Sequence, residues 1–152
     1  MGGPSVQHFT LGSGVHVTPT VDYQKFDWDG PGAGRRAVYR FVFRTLPDPF
    51  MEQFDAADAS QLTPARNASI TPLQALAMLN DPFILRQSEH FARRLEGLGV
   101  DLEGQIRAAF ALALGRPPSP DEAREWLDYG TRYGLANFAR MLLNSNEFLF
   151  VN

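Results

Sequence analysis

The sequence contains no cysteine, and only one of its 14 basic residues, Lys25, is a lysine. Without cysteine, the chain has no internal disulfide, thiol nucleophile or cysteine-ligated zinc site. The other basic residues are arginines, whose planar guanidinium groups favour bidentate pairing with carboxylates. The formal net charge of −3 lacks the positive excess needed to grip a phosphate backbone, so nucleic acid is not an expected partner.

Long apolar runs are also missing, although apolar residues make up 44% of the chain. No stretch approaches the roughly 18 consecutive apolar residues of a membrane-spanning helix, so no membrane span is predicted. The start, MGGPSVQH, has neither the charged nor the apolar region of a signal peptide. The composition is typical of a folded globular chain, and 152 residues are enough for one ordinary domain.

Two regions with different patterns divide the chain. In residues 1–70, short β-prone pieces are interrupted by Gly and Pro, and the segment RRAVYRFVFRTLP fits a strand slightly better than a helix. Residues 71–152 instead carry repeated helix-start and helix-stop signals. We therefore predict a single, mainly α domain. Residues 71–152 form a bundle of four to five short helices, on which residues 1–70 pack as an irregular N-terminal arm and long loop, with or without a small β-hairpin.

Capping residues predict where the first helices begin. Thr71 fits an N-cap followed by Pro72, and Gln74 can reach back to the Thr71 backbone N–H to complete a capping box. We interpret Gln74 as this structural partner rather than as a ligand-binding group. Asp81 then caps a second helix that has Pro82 in its first position.

Similar signals predict the later helices. A third helix runs from its cap at Asp101 to Gly115, and a fourth starts at Ser119, where Glu122 completes another capping box. A last helix is predicted from about 135 to 144. The first helix carries Leu73, Leu76 and Ala77 on one side. Each of the other helices has a stripe of mostly apolar residues that is expected to face the core. The members of these stripes are Ile84, Leu85, Ser88, Phe91, Ala92, Leu95, Ile106, Ala109, Phe110, Ala113, Leu114, Trp126, Leu127, Tyr129, Phe138, Ala139, Leu142 and Leu143.

Recognisable metal and nucleophile motifs are not present. The three histidines lack the spacing that puts two imidazoles on one helix face; they are His8, His16 and His90. DWDG at 27–30 resembles the start of a calcium loop, but the twelfth position counted from Asp27 is Val38 rather than the required Glu. No Gly-x-Ser-x-Gly motif occurs. The sequence therefore predicts no metal, no cofactor and no catalytic residue.

A long loop holds the predicted binding cluster. The segment LPDPFMEQFDAADASQLTPARNAS joins regular elements, and long ordered loops are commonly binding surfaces. Its carboxylates would suit acid–base chemistry if buried together, or would form an ion-pair network with nearby arginines. The cluster consists of Arg35, Arg36, Asp55, Asp58 and Arg66.

Several segments resemble a known family. TPLQALAMLND, ALGRPPSPDEA and NSNEFL, within a likeness that covers nearly the whole chain, resemble the C-terminal part of domain of unknown function 1553, a domain of planctomycete-type secreted proteins that often carry a cytochrome c-like domain. The resemblance implies an extracellular or periplasmic location and a place at the C-terminus of a larger protein. Its partners would be the preceding domains of that protein or another protein.

Two details qualify the resemblance. Family members often have cysteines near the positions of Gly34 and Ala56, where this chain has none. In addition, LALGRPPSPDEAREWLDYG followed by FARMLLNSNEF is similar to the helical modules of phycobilisome linkers, which imply an assembly role. The absence of a recognisable catalytic constellation favours a non-catalytic interaction or structural module. The alternative is part of an enzyme domain, such as a glycan-active hydrolase, that uses carboxylates near Asp55 and Asp58, with a glycan as its ligand.

Overall fold

A computed structural model describes residues 10–11, 21–23, 25–30, 32–36, 39, 47–54 and 72–149. The chain divides into two compact units, Met1–Gln74 and Ala75–Asn152. The division falls close to the change of sequence pattern at residues 70–71. The packing of residues 1–70 on the helical region stays a prediction.

The first unit contains a short antiparallel ladder. Strand β1 (Thr10–Leu11) pairs with β2 (Val21–Asp22), and Thr10 lies opposite Asp22. Both strands are two residues long, so the ladder is a local pairing rather than a sheet with a core of its own.

A helical turn interrupts the long loop predicted over residues 46–69. Helix α1 (Pro49–Gln53) begins after Asp48, whose Oδ1 accepts a hydrogen bond from the Phe50 backbone N–H at 3.0 Å. The Asp-Pro-Phe sequence at 48–50 recurs at 81–83, where it also starts a helix. The segment predicted as a loop therefore contained the same Asp-Pro helix-start signal that begins α3.

Six further helices lie in residues 72–149, and the mainly α prediction is confirmed. Five of them have nine residues or more and match the predicted number. The helices are α2 (Pro72–Asn80), α3 (Pro82–Glu96), α4 (Leu102–Leu114), α5 (Pro120–Tyr133), α6 (Leu135–Leu143) and α7 (Asn146–Leu149).

Aspartate side chains begin α3 and α4. Asp81 Oδ1 accepts from the Phe83 N–H at 2.9 Å, and Asp101 Oδ1 accepts from the Gly104 N–H at 2.9 Å. These bonds satisfy backbone donors that have no partner within the helix. At the other end of α4, Gly115 has a φ of 72°, the left-handed conformation that commonly ends a helix.

The core of the second unit lies among α3, α4, α5 and α6. Helix α3 packs most extensively against α6, and α5 packs against both α4 and α6. The Phe138 ring lies 5.4 Å from the Trp126 ring in a T-shaped arrangement. The residues of the buried cluster are Ala92, Leu95, Ile106, Ala109, Phe110, Leu135, Phe138 and Leu142.

The buried side of α2 is not the side on which Leu73 and Leu76 lie. Leu73 and Leu76 are exposed, whereas Met78 is buried. Because successive residues of a helix are about 100° apart, Met78 lies well away from the direction of the two leucines.

A single residue joins α5 to α6. Gly134 has φ 83° and ψ 162°, a backbone conformation that is essentially restricted to glycine. Its N–H donates to the Gly130 carbonyl at 2.9 Å, and its own carbonyl accepts from the Phe138 N–H at 3.1 Å. Gly134 therefore ends one helix and begins the next, which places Phe138 one turn into α6.

Candidate functional site

The predicted binding cluster lies only partly within the described residues. Asp55, Asp58 and Arg66 lie outside them, so their convergence stays a prediction. The guanidinium carbon of Arg35 lies 4.3 Å from the centroid of the Tyr39 ring, a cation–π distance. Arg36 is exposed, and its carbonyl accepts from the Tyr39 N–H at 3.0 Å.

Thr71, the predicted N-cap of α2, also lies outside the described residues, because the description of this helix begins at Pro72. Gln74 lies in the first turn of α2 and is half-buried. Its reciprocal bond with Thr71 therefore stays a prediction.

A cluster of charged side chains is centred on Arg116, which directly follows Gly115. Its Nη1 and Nη2 donate to Glu122 Oε2 and Oε1 at 2.9 and 2.8 Å. Its Nε and Nη2 donate to Glu147 Oε1 and Oε2 at 2.6 and 2.7 Å. We call these three residues the Arg116 clamp. It joins the end of α4, the start of α5 and α7.

The clamp is continuous with the capping box of α5. The Glu122 N–H donates to Ser119 Oγ at 3.2 Å, and the Ser119 N–H donates to Glu122 Oε2 at 2.7 Å. The Glu122 carboxylate thus serves both the helix start and Arg116. This dual role fixes its orientation from two sides.

The pairing changes the proton affinity of all three groups. Hydrogen bonds from Arg116 and from the Ser119 backbone lower the pKa of Glu122 to about 2. Hydrogen bonding to Arg116 also lowers the pKa of Glu147, and the two carboxylates raise the pKa of Arg116. A carboxylate with so low a pKa is a poor general acid or base near neutral pH. The clamp is therefore suited to holding structure rather than to proton transfer.

Replacing Glu122 with glutamine is expected to remove a pH-dependent part of the stability. The folded-state pKa of about 2 lies below the ordinary 4.5, so the wild-type contribution is complete above about pH 4.5 and is lost as the pH falls towards 2. Glu122→Gln should lower the Tm by roughly 3 °C at pH 7, and by progressively less below pH 4.5. Thermal unfolding of both proteins from pH 7 to pH 2 measures the difference, and a difference that is constant with pH would contradict the assignment.

A second polar network ties α2 to the end of α6. Asn144 Nδ2 donates to the carbonyls of Met78 and Arg140, both at 2.9 Å. Arg140 Nη2 donates to Asn80 Oδ1 at 3.3 Å, and Asn80 Nδ2 donates to the Leu76 carbonyl at 3.1 Å. The polar groups of Asn80 and Asn144 are therefore engaged in connecting helices.

Within the described residues, no three histidine or acidic side chains come together in a group that could hold a metal ion. His90 Nδ1 lies 3.1 Å from Arg93 Nη2, and the other two histidines lie outside the description. None of the helices in this part of the chain is both long and apolar enough to cross a membrane.

Sequence reasoning assigned Ser119 and Glu122 to a cap but missed the Arg116 clamp. Arg116 and Glu147 are 31 residues apart, and no local pattern links them. The one available signal was the arginine-rich composition, which favours carboxylate pairing without naming the partners.

The chain was then compared with models of known protein families. The model of a family described as "Protein of unknown function (DUF1553)" matches residues 1–129 of the 152-residue chain. Comparison with curated proteins and with solved structures found no match.

Proposed function

The chain belongs to the DUF1553 family of proteins of unknown function, and from that premise we propose that it is a non-catalytic interaction module of a larger secreted protein. The partner is the preceding part of the same protein, and the location is extracellular or periplasmic. Exposed apolar side chains and nearby ion pairs in the helical unit support the proposal.

The observation that carries the proposal is a group of exposed apolar side chains at one end of the helical unit. Leu98 and Val100, between α3 and α4, are 50% and 46% exposed, and Tyr133, at the end of α5, is 57% exposed. The end of α5 lies beside the start of α4, because a Cβ built on Gly130 would be 3.6 Å from Leu102 Cδ1. We call Leu98, Val100 and Tyr133 the apolar end.

Two pairs of charged side chains lie near this end, on α4 and α5. Arg132 Nε donates to Asp128 Oδ1 at 3.0 Å on α5, and Arg107 Nη2 donates to Glu103 Oε1 at 2.7 Å on α4. An apolar centre with tyrosine and with a polar surround is the usual composition of a protein interface. The apolar end therefore suits a protein partner.

The alternative enzyme hypothesis depends on residues near Asp55 and Asp58, which lie outside the described part of the chain. No described geometry favours it, so the interaction role is the function proposed.

The test replaces the apolar end and measures association. The polypeptide that the gene encodes ahead of residue 1 is produced separately and titrated with the 152-residue chain by calorimetry. We expect saturable binding that Leu98→Ser together with Tyr133→Ser weakens by at least about tenfold, because buried apolar and aromatic side chains dominate interface energies.

Leu112→Ser is the matched control, since Leu112 is an exposed leucine in the last turn of α4, at the opposite end of that helix from Val100. It should leave the affinity unchanged. A gene that encodes no preceding polypeptide, no binding, or equal weakening by the control would contradict the proposal. Hydrolysis of a polysaccharide by the isolated chain would support the enzyme alternative instead.

A further inference from the structure

Helix α7 is attached to the helical unit differently from the longer helices. Each of α3, α4, α5 and α6 buries at least one residue, whereas no described residue of α7 is buried. Phe148, its largest apolar side chain, is 38% exposed. Helix α7 packs against α4 and α6, and this partial apolar burial is one of its attachments.

Polar contacts provide the other attachment. Glu147 accepts two hydrogen bonds from Arg116, in the bidentate geometry that is strongest for arginine and carboxylate. Ser145 supplies a local cap, since its Oγ accepts from the Phe148 N–H at 3.3 Å. The pair with Arg116 is thus the principal polar link between α7 and the rest of the unit among the described contacts.

The chain before α7 is fixed. Asn144, directly after α6, donates to the carbonyls of Met78 and Arg140 and so holds the end of α6 in place. A movement of α7 can therefore begin at Ser145 without disturbing α6.

Arg116 would still be paired with Glu122 if α7 moved away. Its Nη1 and Nη2 remain bonded to Glu122, and Nη1 also donates to the Pro117 carbonyl at 3.1 Å. The departing Glu147 carboxylate is already partly exposed and returns to water. Opening therefore leaves neither Arg116 nor Glu147 as a buried charge without a partner, so it carries no large desolvation penalty.

We propose that α7 is a strap that opens at Ser145 and closes through Glu147 on Arg116, and that opening uncovers the parts of α4 and α6 against which α7 packs. The strap acts independently of the apolar end, so either proposal can fail without the other.

Hydrogen exchange measured by mass spectrometry on the intact chain tests the strap. Glu147→Gln keeps the size of the side chain but removes its charge. We expect the backbone amides of Phe148 and Leu149, which donate to the Ser145 carbonyl, to exchange about tenfold faster in this variant than in the wild type, because the closed state loses its charge-assisted bonds. Amides within α6 should keep their wild-type rates.

Glu103→Gln is the control, because it removes a carboxylate from an exposed arginine pair on α4. It should leave exchange in α7 unchanged. The proposal is overturned if wild-type α7 exchanges as slowly as α6, if Glu147→Gln leaves α7 unchanged, or if it accelerates α7 and α6 equally. The last result would mean that α7 opens only when the whole unit unfolds.

Discussion

Phe138→Ala is expected to lower the free energy of unfolding by about 3–5 kcal/mol. The Phe138 side chain is completely buried in the cluster formed by α3, α4, α5 and α6, and its ring packs edge-to-face with Trp126. Truncation removes that contact and leaves a cavity that close-packed neighbours fill only in part. Urea unfolding followed by circular dichroism measures the loss.

Phe148→Ala makes the same chemical change at an exposed position on α7. It should lower the free energy of unfolding by clearly less than Phe138→Ala does, since Phe148 is 38% exposed and Phe138 is completely buried. Similar losses for the two variants would show that the core is not centred on Phe138.

Gly134→Ala is expected to destabilise the chain by about 1–3 kcal/mol. A Cβ at this position would meet no atom within 4 Å, so the loss comes from the backbone conformation rather than from a steric clash. With φ at 83° and ψ at 162°, an alanine would have to distort the junction between α5 and α6 or remain strained. Equilibrium unfolding gives the change.

Gly130→Ala, one turn earlier in α5, is the matched control with the opposite expected sign. Its added Cβ would lie 3.6 Å from Leu102 Cδ1, an ordinary van der Waals contact. Because alanine favours a helix interior over glycine by about 1 kcal/mol, this variant should be more stable than the wild type. Destabilisation by Gly130→Ala would mean that packing against Leu102 outweighs the helix preference of alanine at that position. An unchanged stability of Gly134→Ala would contradict the constraint assigned to the Gly134 backbone.

The helices of the second unit were predictable because their signals are local. Asp81, Asp101 and Ser119 each precede a helix in the structure and accept a backbone N–H hydrogen bond there. Apolar spacing likewise indicated the buried stripe of α3, including Ser88, whose hydroxyl donates to the Ile84 carbonyl at 2.8 Å inside the core.

Features that depend on distant residues were not predictable in the same way. The apolar side of α2 identified from Leu73 and Leu76 is exposed, because burial depends on what packs against a helix rather than on spacing alone. The Arg116 clamp was missed for a related reason. Its two carboxylates lie on different helices, which only the tertiary fold brings to one guanidinium.

The packing of α3 against α6 also affects how the chain folds during synthesis. The first long helix of the unit finds its main partner in α6, which begins more than thirty residues after α3 ends. The contacts between α3 and α6 cannot form before α6 has been synthesised and has emerged from the ribosome, so the apolar stripe of α3 lacks this partner until then. The unit therefore completes its folding only after α6 has emerged, and a released chain truncated at Gly134 would expose the surface that Phe138 and Leu142 cover.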